Sequence, residues 1–167
     1  MAYATVASMD GMPELHLVTT IYRATNAIVR ELDRRLLRDY DVTFVQALTL
    51  LAIQSFDQPQ PRLVAEFLSQ QSQTVTGVLD RLERAGHIRR SRDLADRRGV
   101  RLELTGTGAR LAESLREKLS DYMEELFRGV PQRARQQLRE LLDQLNKSVK
   151  AAASAAASEE LGASRSA

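Results

Sequence analysis

Residues 72–108 read SQTVTGVLDRLERAGHIRRSRDLADRRGVRLELTGTG, and this stretch decides the fold. Val75, Val78, Leu79 and Leu82 recur at helical spacing and share one face of a helix that stops at Gly86, a residue suited to a left-handed C-terminal position. The front of that helix is rich in hydroxyls, with Ser72, Thr74 and Thr76. After Gly86 the period changes: residues 88–92 and 100–104 alternate polar and apolar side chains, which predicts a two-stranded hairpin. The connection between the strands is Asp93-Leu94-Ala95-Asp96-Arg97-Arg98-Gly99, long enough to form a wing. Residues 81–101 carry 8 Arg against 3 acids, a sum of about +5 in a chain whose net charge is +2. Positive charge focused in this way beside a polar helix face is what binding a polyanion requires.

Upstream, residues 62–68 predict a short helix with Leu63, Val64, Ala65 and Phe67 as its apolar content. Ser69-Gln70-Gln71 forms the turn into the helix of the opening stretch. Thr43-Phe44-Val45-Gln46 has the form of a capping box. It opens a helix that carries Val45, Leu48, Leu51 and Ala52 inward and stops before Pro59 and Pro61. The first helix spans about residues 14–38, with Leu17/Val18, Ile21, Thr25, Ile28, Leu32 and Leu36 at helical spacing, and residues 1–13 read as a flexible arm. Downstream, Thr105 caps a fifth helix striped with Leu111, Leu115, Leu119, Tyr122/Met123 and Leu126. Pro131 opens a sixth, with Ala134, Leu138, Leu141/Leu142, Leu145 and Val149. Residues 151–167 form a low-complexity tail that extends the helix for at most a few turns and is expected to be partly disordered.

The fold class is therefore mainly α with a small β-hairpin wing: a winged helix-turn-helix at about 43–105, with dimerisation helices at about 14–39 and 106–150. Residues 14–150 are read as one unit. The first, fifth and sixth helices are too long and too apolar on one face for so small a head to cover, so a second copy of the chain is expected to bury them. A two-fold homodimer would set two reading heads about one duplex turn apart, roughly 34 Å.

The remaining residues exclude several function classes. There is no Cys and no Trp, and the two histidines, His16 and His87, stand far apart. No nucleophile–base constellation, ligand cluster or glycine-rich phosphate loop assembles from what is left, so no catalytic residue, metal or cofactor is expected. Gly106-x-Gly108 lacks the third glycine and the surrounding strand–helix–strand unit of a dinucleotide site, and reads as a packing and capping feature. His87 reads as an exposed loop residue. No apolar run reaches the length of a membrane span and no secretory signal opens the sequence, so a cytoplasmic location without membrane contact is expected.

With Thr74-Val75-Thr76, Leu79-Asp80-Arg81-Leu82-Glu83, Gly86, Asp93-x-x-Asp96-Arg97-Arg98 and Leu104-Thr105-x-x-Gly108 in this order, the chain resembles the MarR (multiple antibiotic resistance regulator) family over roughly residues 15–148. The resemblance implies a homodimeric transcription factor whose partner is double-stranded DNA at a pseudo-palindromic operator, most often a repressor released by a small aromatic or phenolic effector. Ser69 departs from the glycine usual in the turn, Gln70 from an apolar residue, Gly77 from an arginine, and His87 from an apolar residue.

The residues themselves suggest roles. Gln73 suits bidentate pairing with adenine, and Thr76 offers a hydroxyl and a methyl to a base edge. Ser72, Thr74 and Arg81 suit phosphate oxygens at a helix N-terminus and along its flank, and Gly77 lies on the same face. By analogy with the family, Arg98 enters a minor groove, Asp96 holds its guanidinium in register and Arg97 meets the backbone. Arg89, Arg90, Arg92 and Arg101 read as general electrostatic contributors. For an effector, His16 or Arg23 could receive a carboxylate or phenolate, with Tyr22 and Tyr40 near in sequence. Two other readings stand beside this one. The protein could be a ligand-independent activator or anti-silencing DNA-binding protein, or a non-DNA protein-interaction module whose fourth helix would expose apolar anchors.

Overall fold

Six helices and one hairpin follow one another in the order α1 (Pro13–Tyr40), α2 (Phe44–Ser55), α3 (Pro61–Leu68), α4 (Ser72–Arg84), β1 (Ile88–Arg92), β2 (Val100–Leu104), α5 (Gly106–Leu126) and α6 (Gln132–Ser164). They are seen in a computed structural model that describes residues 11–92 and 99–164. The boundaries follow local chemistry. Pro13 sits at the first position of α1, where its missing N–H is no loss, and Asp41 ends the helix in the left-handed region at φ 56. The predicted capping box is present: the Gln46 amide donates to Thr43 Oγ1 (3.3 Å), and the Thr43 amide donates to Gln46 Oε1 (2.8 Å). Thr105 Oγ1 likewise accepts the Gly108 amide at 3.0 Å and opens α5.

The core of the winged head collects Leu32 and Leu36 from α1, Ala47, Leu50, Ala52 and Ile53 from α2, and Val64 and Ala65 from α3. Val75, Val78, Leu79 and Leu82 join them from α4, Ile88 from β1, Leu102 from β2, and Ala112, Leu115 and Leu119 from α5. The face expected of α4 is the buried one. That of α2 is turned in part from the expectation: Ala52 is buried as expected, with Ala47, Leu50 and Ile53 beside it, whereas Val45, Leu48 and Leu51 are half-buried. With an apolar residue at nearly every position, FVQALTLLAI carries no contrast from which periodicity could select a face.

The two strands pair antiparallel, with Ile88 opposite Leu104 and Arg90 opposite Leu102. The outer edge of β2 is tied to the loop before α3, where the Leu102 amide donates to Pro59 O at 2.8 Å. Between α4 and α5 the backbones pass closely: a Cβ at Gly108 would lie 1.9 Å from His87 O, so only glycine fits there. His87, expected to be exposed, is half-buried at this crossing, and its Nδ1 has no hydrogen-bond partner among the described residues.

The chain divides after Ser120 into two compact units. The first contains α1 to β2 and most of α5. The second contains the end of α5 and α6, which continues as helix through the alanine-rich stretch after Lys150 as far as Ser164. Alanine has the highest helix propensity of any residue, which favours that continuation. Along α6, Leu138, Leu141, Leu145 and Val149 form a stripe 40–62% exposed. On α1, Leu15, Leu17, Val18 and Tyr22 are exposed as well. No helix among the described residues is long and apolar enough to cross a membrane.

Candidate nucleic-acid interface

Packing four apolar side chains of α4 into the head turns its remaining residues outward. Ser72, Gln73, Thr74, Thr76, Arg81 and Arg84 are exposed, and Gly77 is half-covered. None of the large apolar side chains exposed among the described residues belongs to α4, so its outer face is hydroxyl, amide and guanidinium, with the partly exposed carboxylates of Asp80 and Glu83 toward the hairpin. The Val75 amide donates to Gln71 O at 3.2 Å, and no side chain caps the helix start. The first amides of α4 therefore face outward with the partial positive charge of a helix N-terminus. Thr76 Oγ1 donates to Ser72 O at 2.9 Å, which leaves its oxygen lone pairs and methyl outward.

Gly77 is a helix-interior glycine, a placement that costs about 0.5–1 kcal/mol relative to alanine. Arg81 folds back toward it, with Nε donating to Gly77 O at 3.1 Å.

The hairpin is fixed beside α4 by ion pairs that the sequence did not reveal. Arg90 Nη2 stands 2.7 Å from Asp80 Oδ1, and Arg90 Nη1 donates to Glu83 Oε2 at 3.0 Å. The Arg90 amide donates to Glu83 Oε1 at 3.1 Å, so one strand residue holds both carboxylates of the helix. Across the hairpin, Arg89 Nε donates to Glu103 Oε2 at 2.7 Å and Ser91 Oγ to Glu103 Oε1 at 3.0 Å. The Arg89 hydrogen bond, with help from Ser91, holds the Glu103 carboxyl below its ordinary pKa. Arg89 and Arg90 are thus bound in local pairs rather than being general contributors of free charge. The signal lay in Glu83, Asp80 and Glu103 bracketing the arginine run, but a helix-to-strand pair has no fixed sequence spacing.

Asp96, Arg97 and Arg98 lie outside the described residues. Of the residues named for an effector, Arg23 lines a hollow of about 580 Å³ along α1 together with Thr20, Tyr22, Asn26 and Arg30, and His16 does not. The described residues bring no three His, Asp or Glu together where they could hold a metal ion.

A helix-turn-helix whose second helix presents a polar face, followed by a hairpin locked to that helix, defines a winged helix-turn-helix protein. Residues 40–99 match the model of the MarR family. The chain is 36% identical over 92 residues to the HTH-type transcriptional regulator TtmR of Methylorubrum extorquens, an alignment covering 55% of this chain and 47% of that protein, about half its length. Its fold superimposes on a MarR/EmrR family transcriptional regulator from Acinetobacter sp. ADP1 with a TM-score of 0.76 at 17% identity, covering 82% of this chain and 96% of the other. A mutant MarR from E. coli complexed with operator DNA gives a TM-score of 0.68 at 25% identity, over 82% of this chain and 96% of that one. The chain folds as a winged helix-turn-helix protein and is similar to the MarR family over residues 40–99.

Proposed function

We propose that the protein is a homodimeric, sequence-specific regulator of transcription that binds double-stranded DNA at a pseudo-palindromic operator, acting as a repressor released by a small aromatic or phenolic effector. One observation carries the DNA reading: the outer face of α4 offers hydroxyls, an amide and arginines without an apolar anchor. A protein-docking helix would need such an anchor. In this reading the head comprises residues 43–105, and residues 14–39 and 106–150 supply the dimer. Ser72, Thr74 and Arg81 meet phosphate, Gln73 and Thr76 meet base edges, and Gly77 lies on the same helix surface. Asp96, Arg97 and Arg98 take the wing roles that the family resemblance assigns them. An effector with an anionic group finds Arg23 and Arg30 in the hollow along α1; His16, outside that hollow, is the weaker candidate. Release would follow from a change in the spacing of the two heads.

The test is binding of the purified protein to duplexes selected from a random pool, followed by the same titration with Arg98→Ala. Specific affinity is expected to fall by about 1–3 kcal/mol while the oligomeric state is unchanged. Equal affinity for every duplex at low salt would remove DNA reading from this protein.

A further inference from the structure

Glycines in this chain have different reasons for being glycine. Gly86 adopts φ +74, which other residues rarely adopt, and Gly108 lies where any Cβ would collide with the backbone of His87. Gly77 has neither reason. Its backbone is ordinary helix, and among the described residues an added Cβ would meet a single atom within 4 Å, Arg81 Nη2 at 3.9 Å. No packed neighbour requires the bareness of this position, although glycine weakens a helix interior. Beside that open space, in ordinary van der Waals reach, lies the guanidinium of Arg81, drawn one turn toward the helix N-terminus by its bond to Gly77 O at 3.1 Å.

We propose that Gly77 and Arg81 form one base-reading element, in which the missing side chain at 77 seats the Arg81 guanidinium on the groove-facing surface of α4, from where it pairs with a guanine. This rests on the DNA-binding reading above. It departs from that reading in assigning Arg81 to a base edge rather than to phosphate. Three features support it. The Nε contact leaves the Nη groups outward, and a guanidinium fork matches the O6 and N7 acceptors of guanine. The seat adjoins Gln73, Thr74 and Thr76, exposed on the N-terminal turns through which such helices read bases. Bare backbone at 77 also lets the helix approach the base edges closely.

The experiment selects duplexes from a random pool with the wild type, then measures the base preference at each position for Arg81→Ala, Arg81→Lys and Gly77→Leu. Circular dichroism and sedimentation confirm that each variant is folded and assembled as the wild type. Arg81→Ala is expected to lose roughly 10- to 100-fold of the preference for guanine at one position per half-site, with other positions unchanged. Arg81→Lys should fail to restore it, because an ammonium lacks the fork. Gly77→Leu should flatten the same position although Arg81 is present. A uniform loss of affinity across all sequences in Arg81→Ala, full recovery in Arg81→Lys, or an intact preference in Gly77→Leu would each overturn the assignment. A wild type that selects no sequence would remove the DNA reading itself, a result distinct from all three.

Discussion

Ser69 marks the turn between α3 and α4, and it holds a left-handed backbone at φ 50. Its amide donates to Glu66 O at 3.2 Å and the next amide, of Gln70, to Ala65 O at 3.0 Å, so the conformation satisfies the carbonyls at the end of α3. For a residue with a Cβ this conformation costs about 1–2 kcal/mol. Glycine removes that strain but loses more freedom on folding, an opposing effect of about 0.5–1 kcal/mol. The strain is the larger quantity, so Ser69→Gly is expected to stabilise the protein by about 0.5–1 kcal/mol, raising Tm by about 1–4 °C in a chain of this size. Thermal unfolding followed at α-helical ellipticity checks this; an unchanged or lower Tm would show that the serine sits there without strain. The departure at Ser69 was legible in the sequence, because the turn needs a residue in this conformation whatever occupies it.

At the scale of elements, what was legible depended on how local its cause is. The ends of α2, α4 and α5 are set by residues three or four apart, Thr43 with Gln46, Thr105 with Gly108, and Gly86 alone, so the sequence shows them directly. Both strands came from alternation, and their register, Ile88 opposite Leu104, agrees with it. The buried face of α2 was not legible because every face of that helix is apolar. The Arg90 brace was not legible because it joins a helix to a strand through tertiary packing. Its role in the head is testable. Arg90→Ala should quicken hydrogen exchange of the β1 and β2 amides relative to those of α2. Global stability should fall by no more than about 1 kcal/mol, as expected for partly exposed pairs. The variant also leaves Asp80 and Glu83 uncompensated beside a polyanion, so duplex affinity should fall about tenfold, or ~1.4 kcal/mol. Adding Glu83→Gln should return part of that loss. Exchange rates identical to the wild type would mean that the strand stays in place without the guanidinium.

The whole molecule poses a question of solvation: why do two separate units each leave an apolar stripe in water? Leu15, Val18 and Tyr22 on α1, and Leu138, Leu141, Leu145 and Val149 on α6, recur at helical spacing and are exposed. Contiguous apolar stripes on a soluble protein mark surfaces that associate. The 33 residues of α6 extend about 50 Å, ample length for a helix to pair with its two-fold mate. Leu141, the most exposed residue of its stripe, is the residue to change. Glutamate is a good helix former, so Leu141→Glu should keep α6 helical while placing a charge in the proposed contact. Sedimentation equilibrium is expected to show the wild type at about twice the chain mass of 18.7 kDa, and the variant at that mass at micromolar concentration. Losing the second head also removes the linkage between half-sites, so operator affinity should drop by about 10²- to 10⁴-fold, whereas affinity for an isolated half-site changes little. A variant that still sediments as a dimer would place the contact away from this stripe, and a monomeric wild type would leave the two-headed mechanism without its second head.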